Sequence, residues 1–155
     1  TVKNLFLNHR RTISRKMQEL FLAWHLEKVV DKKRIIELYM NVAEFGPGIY
    51  GVTKASLHYF DKAPFDLSLR ESAFLAALLP SPVRRYKNFC NGTPTTEFKS
   101  MMDNLLKRMN TLGKVDSNIF NYAMTNRLRF NDEARNSSTT CSNLSRNSKA
   151  LPQQR

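Results

Sequence analysis

The segment SLRESAFLAALLP, residues 68–80, decides the fold class of this chain. Ser68 and Glu71 form a capping box, in which each side chain satisfies a backbone donor at the start of a helix. The run AFLAALL that follows is apolar on every side of that helix, so we expect the helix to be buried. Pro80 and Pro82 then end it, because proline cannot continue a helix.

Five further helices are predicted on either side of this segment. Apolar periodicity and capping signals place them at residues 14–30, 32–41, 52–60, 93–112 and 116–125. The expected signals at their ends are caps at Asp31 and Asp116, an opening at Thr93 with Pro94, and a stop at Gly113. Three glycines and a proline within residues 46–51 predict a loop. No segment shows a clean two-residue alternation with turn signals, so the predicted fold class is all-α.

The 155 residues suffice for one domain, which we place at residues 1–130. Ser, Thr, Asn and Gln dominate residues 131–155, so this tail is expected to stay disordered. Cys90 and Cys141 lie far apart in sequence, without a CxxC pair or a zinc-ligand cluster, and two unpaired thiols are expected. No apolar stretch approaches the ~20 residues that cross a bilayer, so the chain is expected to have no anchor of its own.

The formal charge of +12 calls for an anionic partner or full solvation. Nucleic acid, anionic lipid headgroups and a phosphorylated substrate all satisfy this requirement. Five cations lie near the start of the first predicted helix, where a phosphate or diphosphate could bind: Lys3, Arg10, Arg11, Arg15 and Lys16. A solvated basic face or a nucleic-acid patch explains them equally well.

Glu19 shares a helix face with Arg15 and Lys16, at spacings of four and three residues. A carboxylate between two cations can form a site, but an ordinary surface ion triad is the simpler interpretation. Glu37 and Asn41 share a face of the second predicted helix, and Glu44 follows it. Any of these three could act in catalysis, although a role in bracing the glycine-rich loop is favoured. The histidines show no metal-ligand spacing.

The order of the motifs resembles that of the peptidoglycan glycosyltransferases, family 51. The matching stretches are TVKNLFL at 1–7, RKMQE at 15–19, IIELYMN at 35–41, NVAEFGPGIYG at 41–51, and a fifth group between Ala55 and Pro80 that includes Lys62 and Glu71. The resemblance is close over residues 1–86, weaker to about residue 130 and absent beyond. It implies a lysozyme-like, mainly helical fold.

The resemblance also implies a reaction and its residues. Such enzymes polymerise lipid II onto a growing glycan chain through β-1,4 bonds and release undecaprenyl pyrophosphate at the periplasmic face of the bacterial inner membrane. Glu19 then corresponds to a catalytic glutamate near the donor diphosphate. The residues expected to bind substrate are Lys3, Arg11, Arg15 and Lys16, and those expected to be structural are Asn4, Glu37, Asn41 and Gly51. A divalent cation, Mg²⁺ or Mn²⁺, is allowed by resemblance, but the sequence contains no self-contained metal site.

The family's first motif, a Glu-Asp pair that carries its general base, has no counterpart in these residues. We therefore expect the chain alone to be inactive, since loss of a general base commonly costs ~10² to 10⁴ in rate. Three hypotheses remain. The chain is an enzyme fragment, a non-catalytic remnant that binds lipid diphosphate or an anionic membrane, or a basic nucleic-acid-binding module. The motif order and the lack of a nucleic-acid-binding motif argue against the third.

Overall fold

The computed structural model describes His25 and residues 28–143, and this part of the chain is mostly helical. Short connections join its elements, which in chain order are α1 (Lys32–Val42), β1 (Glu44–Gly46), β2 (Ile49–Tyr50), α2 (Val52–Phe60), a 3-10 turn (Pro64–Asp66), α3 (Leu69–Leu78), α4 (Pro82–Arg85), α5 (Lys87–Cys90), α6 (Thr96–Thr111), α7 (Ser117–Thr125) and α8 (Asp132–Ser137). The predicted mainly helical class is confirmed. Most of the first predicted helix, residues 14–30, lies outside the described residues.

Helix α3 is largely buried, as the sequence predicts, and it lies at the centre of the described part of the fold. The Ser68 hydroxyl accepts from the backbone N–H of Glu71, whose carboxylate accepts in return from the Ser68 backbone, so the predicted capping box is present. Phe74 and Leu78 are completely buried, although Ala76 faces solvent. Helices α6 and α7 pack across α3. The apolar run therefore buries most, but not all, of the helix circumference.

An aromatic cluster joins α3 to elements distant in sequence. The Tyr59 ring lies 5.4 Å from that of Phe74 and 5.0 Å from that of Phe89, measured between centroids. Phe130, beyond α7, lies 5.0 Å from Phe74 and 5.5 Å from Phe89. Aromatic pairs in such edge-to-face contacts contribute about 0.5–1.5 kcal/mol each beyond the burial of their area. The cluster thus links α2, α3, α5 and the segment that follows α7.

The long helix α6 begins later than predicted. Its cap is Thr95, whose hydroxyl accepts from the backbone N–H of Phe98, and not Thr93 with Pro94. This start places Phe98, Met102 and Leu106 on one face, and all three are buried. The Asp116 cap of α7 is confirmed by its bonds to two backbone N–H groups, whereas the Asp31 side chain makes no capping bond to α1.

The predicted glycine-rich loop is in part a hairpin. Strands β1 and β2 pair antiparallel, with Glu44 opposite Tyr50 and Gly46 opposite Ile49. Strands of three and two residues are too short to show the alternation by which sequence reveals a strand.

Two predictions for the end of the chain are wrong. Cys90 and Cys141 are not free thiols but a disulfide, with Cα atoms 5.0 Å apart. The polar tail does not begin at Asn131, because α8 and a further helical stretch at residues 139–143 are folded. The backbone N–H of Asn131 donates to the Tyr59 carbonyl at 2.8 Å. Composition alone therefore placed the boundary too early, and residues 144–155 lie outside the described part of the chain.

Candidate functional site

The residues predicted to carry the chemistry lie outside the described part of the chain. They are Lys3, Arg11, Arg15, Lys16 and Glu19, and Asn4, predicted to be structural, lies outside it too. The structure describes the three remaining predicted residues, Glu37, Asn41 and Gly51, which lie on α1 and the hairpin that follows it. The described residues therefore follow the predicted chemical residues in sequence.

Glu37 lies on the solvent-exposed side of α1. Its carboxylate accepts from the Arg34 guanidinium at 2.6 Å, and both side chains are more than half exposed. An exposed pair one helical turn apart stabilises a helix only slightly. Among the described residues, Glu37 therefore makes no hydrogen bond or ion pair that would hold the glycine-rich loop in place.

Asn41 and Gly51 bring the end of α1 against the start of α2. Gly51 has φ +85°, a conformation that favours glycine. A Cβ added there would lie 2.8 Å from the Asn41 carbonyl oxygen. The Gly51 N–H donates to the Ala43 carbonyl at 2.9 Å. The close approach needs a glycine at position 51, and it involves the backbone of Asn41 and not its side chain.

The hairpin rests on the aromatic cluster through Tyr59. The buried Tyr59 hydroxyl donates to the Phe45 carbonyl at 2.8 Å. Burial, with further contributions from Tyr86 and Glu44, raises the pKa of Tyr59 far above its ordinary value. Tyr59 is therefore a fixed hydrogen-bond donor that holds β1 in place.

A second polar cluster lies at the start of α3. Lys62 donates to the Glu71 carboxylate at 2.7 Å, and the Ser68 N–H and hydroxyl donate to the other carboxylate oxygen. Burial alone would raise the pKa of Glu71, but these hydrogen bonds outweigh it and lower the pKa below its usual range. Glu71 is thus a fixed, ionised structural group.

Arg70 connects three helices at the other side of α3. Its guanidinium, almost fully buried, donates to Asp103 of α6 at 3.2 Å and to the Ala123 carbonyl of α7 at 2.9 Å. A buried cation needs such partners, since desolvation of an unpaired charge is costly. This network fixes α6 and α7 relative to α3.

A chain of hydrogen bonds runs beside the disulfide. Tyr86 shares hydrogen bonds with His58 at 2.9 Å and with Ser138 at 3.1 Å. Burial lowers the pKa of His58 and raises that of Tyr86, the latter partly offset by the bond to Ser138. Both groups are therefore neutral at pH 7, and they join α2 to the C-terminal segment.

A cavity of about 570 Å³ opens between the start of α3 and the segment after α7. Among its lining residues are Arg127 and Arg129, which are not among the residues predicted from the sequence. The sequence signal for this pair is two arginines separated by one apolar residue, in a stretch without helical periodicity. Within residues 28–143 no cluster of His, Cys, Asp or Glu side chains could hold a metal ion. None of the helices described there is long and apolar enough to cross a membrane.

Comparisons with known proteins place the chain in a family. A family model described as Transglycosylase matches residues 1–110. Three similar relatives bear the name biosynthetic peptidoglycan transglycosylase. The one from Shewanella denitrificans is 58% identical over 55% of this chain and 37% of its own length. Those from Shewanella amazonensis and Pasteurella multocida are 45% and 43% identical, over 73% and 74% of this chain and 44% and 45% of their own lengths.

A solved structure shares the fold of this chain. Penicillin-binding protein 1A from Haemophilus influenzae matches with a TM-score of 0.56 and 24% identity, over 66% of this chain and 15% of that protein. The chain spans less than half the length of the curated relatives named above. Because the family model matches more than half of the residues, this chain belongs to the transglycosylase family.

Proposed function

We propose that the protein containing this chain is a peptidoglycan glycosyltransferase that polymerises lipid II into β-1,4 glycan strands. The observation that carries the proposal is the family match to residues 1–110, which includes every residue predicted to bind or react. The reaction joins an acceptor hydroxyl to the anomeric carbon of the donor. The bond from that carbon to the diphosphate breaks with inversion, and undecaprenyl pyrophosphate leaves.

The predicted cations suit the leaving group. Negative charge builds on the diphosphate as its bond to the sugar breaks, and fixed positive groups stabilise that charge in the transition state. Arginine also binds phosphate oxygens in pairs. We assign this role to Lys3, Arg11, Arg15 and Lys16, with Glu19 as the catalytic carboxylate beside the donor. The base that takes the proton of the acceptor hydroxyl belongs to the family's first motif, which has no counterpart in these residues, so these residues supply the donor side of the reaction.

The described part of the chain is a packed unit that follows the predicted site in sequence. Helix α1 begins at Lys32, after the predicted catalytic segment in sequence, and the hairpin and α2 hold the end of this helix through Gly51 and Tyr59. The disulfide supports a location outside the cytoplasm, since thiols in the cytoplasm are normally kept reduced. We therefore place the enzyme at the periplasmic face of the inner membrane.

The test uses labelled lipid II and a chimera. The full chain is joined to the part of the Shewanella denitrificans relative that precedes its matched region, so that the family's first motif is present. We expect polymer from the chimera, and a loss of ~10² to 10⁴ in rate for Glu19→Gln. Glu133→Gln is the matched control, because this carboxylate lies on exposed α8, outside the family match.

Donor binding is tested separately on the same chimera. Arg15→Ala should weaken binding of lipid II, whereas Arg84→Ala, at an exposed position on α4, should leave it unchanged. A folded chimera that yields no polymer would refute the proposal. Equal activity of the Glu19→Gln and Glu133→Gln variants would mean that Glu19 belongs to an ordinary surface ion triad and has no catalytic role.

A further inference from the structure

The cavity at the start of α3 is lined by four cations and a single carboxylate. Its volume of about 570 Å³ is within the usual range of small-molecule sites. The wall on one side comes from Lys62 and the first turn of α3. The opposite wall comes from the end of α7 and the extended stretch after it, which includes Arg127 and Arg129.

Two of these cations are used by contacts within the fold. Lys62 neutralises Glu71, the only carboxylate of the cavity, at 2.7 Å. Arg70 is buried and pairs with a carboxylate of α6. Arg127 and Arg129 are exposed, and neither makes an ion pair or hydrogen bond with another residue in the described part of the chain. Among the described residues, the cavity therefore retains a net positive charge without a compensating partner.

The backbone directs both arginines to the same side. Residues 126–131 form no helix, and in extended backbone, side chains two positions apart share a face. Leu128 and Phe130 face the other way and pack against the core. Because burial of these apolar residues fixes the register of the segment, Arg127 and Arg129 are both held at the cavity.

We propose that this cavity binds the phosphate group of a phosphate ester. Two guanidinium groups offer paired donors that match phosphate oxygens. Lys62 keeps ammonium protons beyond the one given to Glu71. The cavity is open enough to admit the group that the phosphate esterifies. The ester is either a soluble metabolite or the headgroup of an anionic phospholipid, and the site does not depend on the diphosphate-binding residues proposed above.

The test measures binding of two probes to the full chain. Glycerol 3-phosphate is titrated by calorimetry, and sedimentation measures binding to vesicles of equal parts phosphatidylglycerol and phosphatidylcholine, with phosphatidylcholine vesicles as the blank. The variant is Arg127→Gln with Arg129→Gln. The matched control is Arg84→Gln with Lys87→Gln, which removes the same charge from exposed positions at a different cavity.

We expect the Arg127/Arg129 variant to bind about tenfold or more weakly, since hydrogen bonds between charged groups are strong, and the control to bind as the unmodified chain does. If binding of glycerol 3-phosphate is weakened in the Arg127/Arg129 variant and not in the control, the ligand is a soluble ester. If only binding to the vesicles changes in this way, the ligand is a lipid headgroup. An equal loss in both variants would mean general charge attraction and would overturn the proposal. Binding unchanged in both variants, or absent from the unmodified chain, would overturn it too. Circular dichroism verifies that each variant is folded.

Discussion

Replacing Cys90 and Cys141 together by serine is expected to destabilise the protein by as much as roughly 4 kcal/mol. The disulfide joins residues 51 positions apart. Closing a loop of that length in the unfolded chain removes about 14 cal/mol/K of entropy, which corresponds to roughly 4 kcal/mol at 25 °C. The double substitution leaves no unpaired thiol, so it removes the constraint without adding a reactive group.

Thermal unfolding followed by circular dichroism measures the effect. For a chain of this size we expect the Tm of the double variant to fall by roughly 10 °C. Reductant should lower the Tm of the unmodified protein toward the same value and leave that of the variant unchanged. Titration of the denatured, unreduced protein should find no thiol. Two reactive thiols would refute the disulfide, and an unchanged Tm with the disulfide present would refute the loop-closure argument.

Three further substitutions test contacts within the described part of the chain, each by denaturant unfolding. Gly51→Ala should cost about 1–3 kcal/mol, because a Cβ at φ +85° would meet the Asn41 carbonyl. Arg70→Met should cost about 1–3 kcal/mol, because it leaves the partly exposed Asp103 carboxylate and the Ala123 carbonyl without their donor. Glu71→Gln should keep the capping bonds but lose the pairing with Lys62. Because the pKa of Glu71 is lowered in the folded protein, Glu71 should give a higher free energy of unfolding than Gln at any pH above the ordinary pKa of 4.5. This difference in stability should disappear as the pH falls through the lowered pKa.

Each of these variants has a control with the same chemical change. Gly48→Ala also alters a glycine of positive φ, but no atom lies within 4 Å of the added Cβ, so its cost should be smaller. Arg34→Met breaks an exposed ion pair and should cost less than about 1 kcal/mol. Glu133→Gln should show no pH-dependent difference. Equal costs within any pair would contradict the contact assigned to that residue.

The features that sequence could predict are those encoded by neighbouring residues. The box of Ser68 and Glu71 and the cap at Asp116 are local hydrogen-bond patterns, and both are present. The start of α6 was missed because Thr93 and Thr95 offer equivalent caps. The choice between them is made by the core, which needs Phe98 on the buried face. A preference set by distant packing is not visible in the local sequence.

The disulfide and the folded start of the tail could not be predicted for the same reason. Cys90 and Cys141 meet only because α5 and the C-terminal segment pack against a shared core. Helix α8 buries none of its residues fully, so its composition resembles that of a disordered stretch. Its position is fixed by bonds from outside it, namely the disulfide and the hydrogen bond from Asn131 to Tyr59.

The segment beyond the family match completes the core that the family motifs begin. The match ends at residue 110, yet Phe130 packs against Phe74 and Phe89, and Ala123 accepts from the buried Arg70. Without these later residues, the aromatic cluster would face water and Arg70 would lose one of its two partners. Residues 111–143 are therefore part of the same folding unit as the matched region. Because their inward positions are used in this packing, the outward ones, Arg127 and Arg129, are free to take on a binding role of their own.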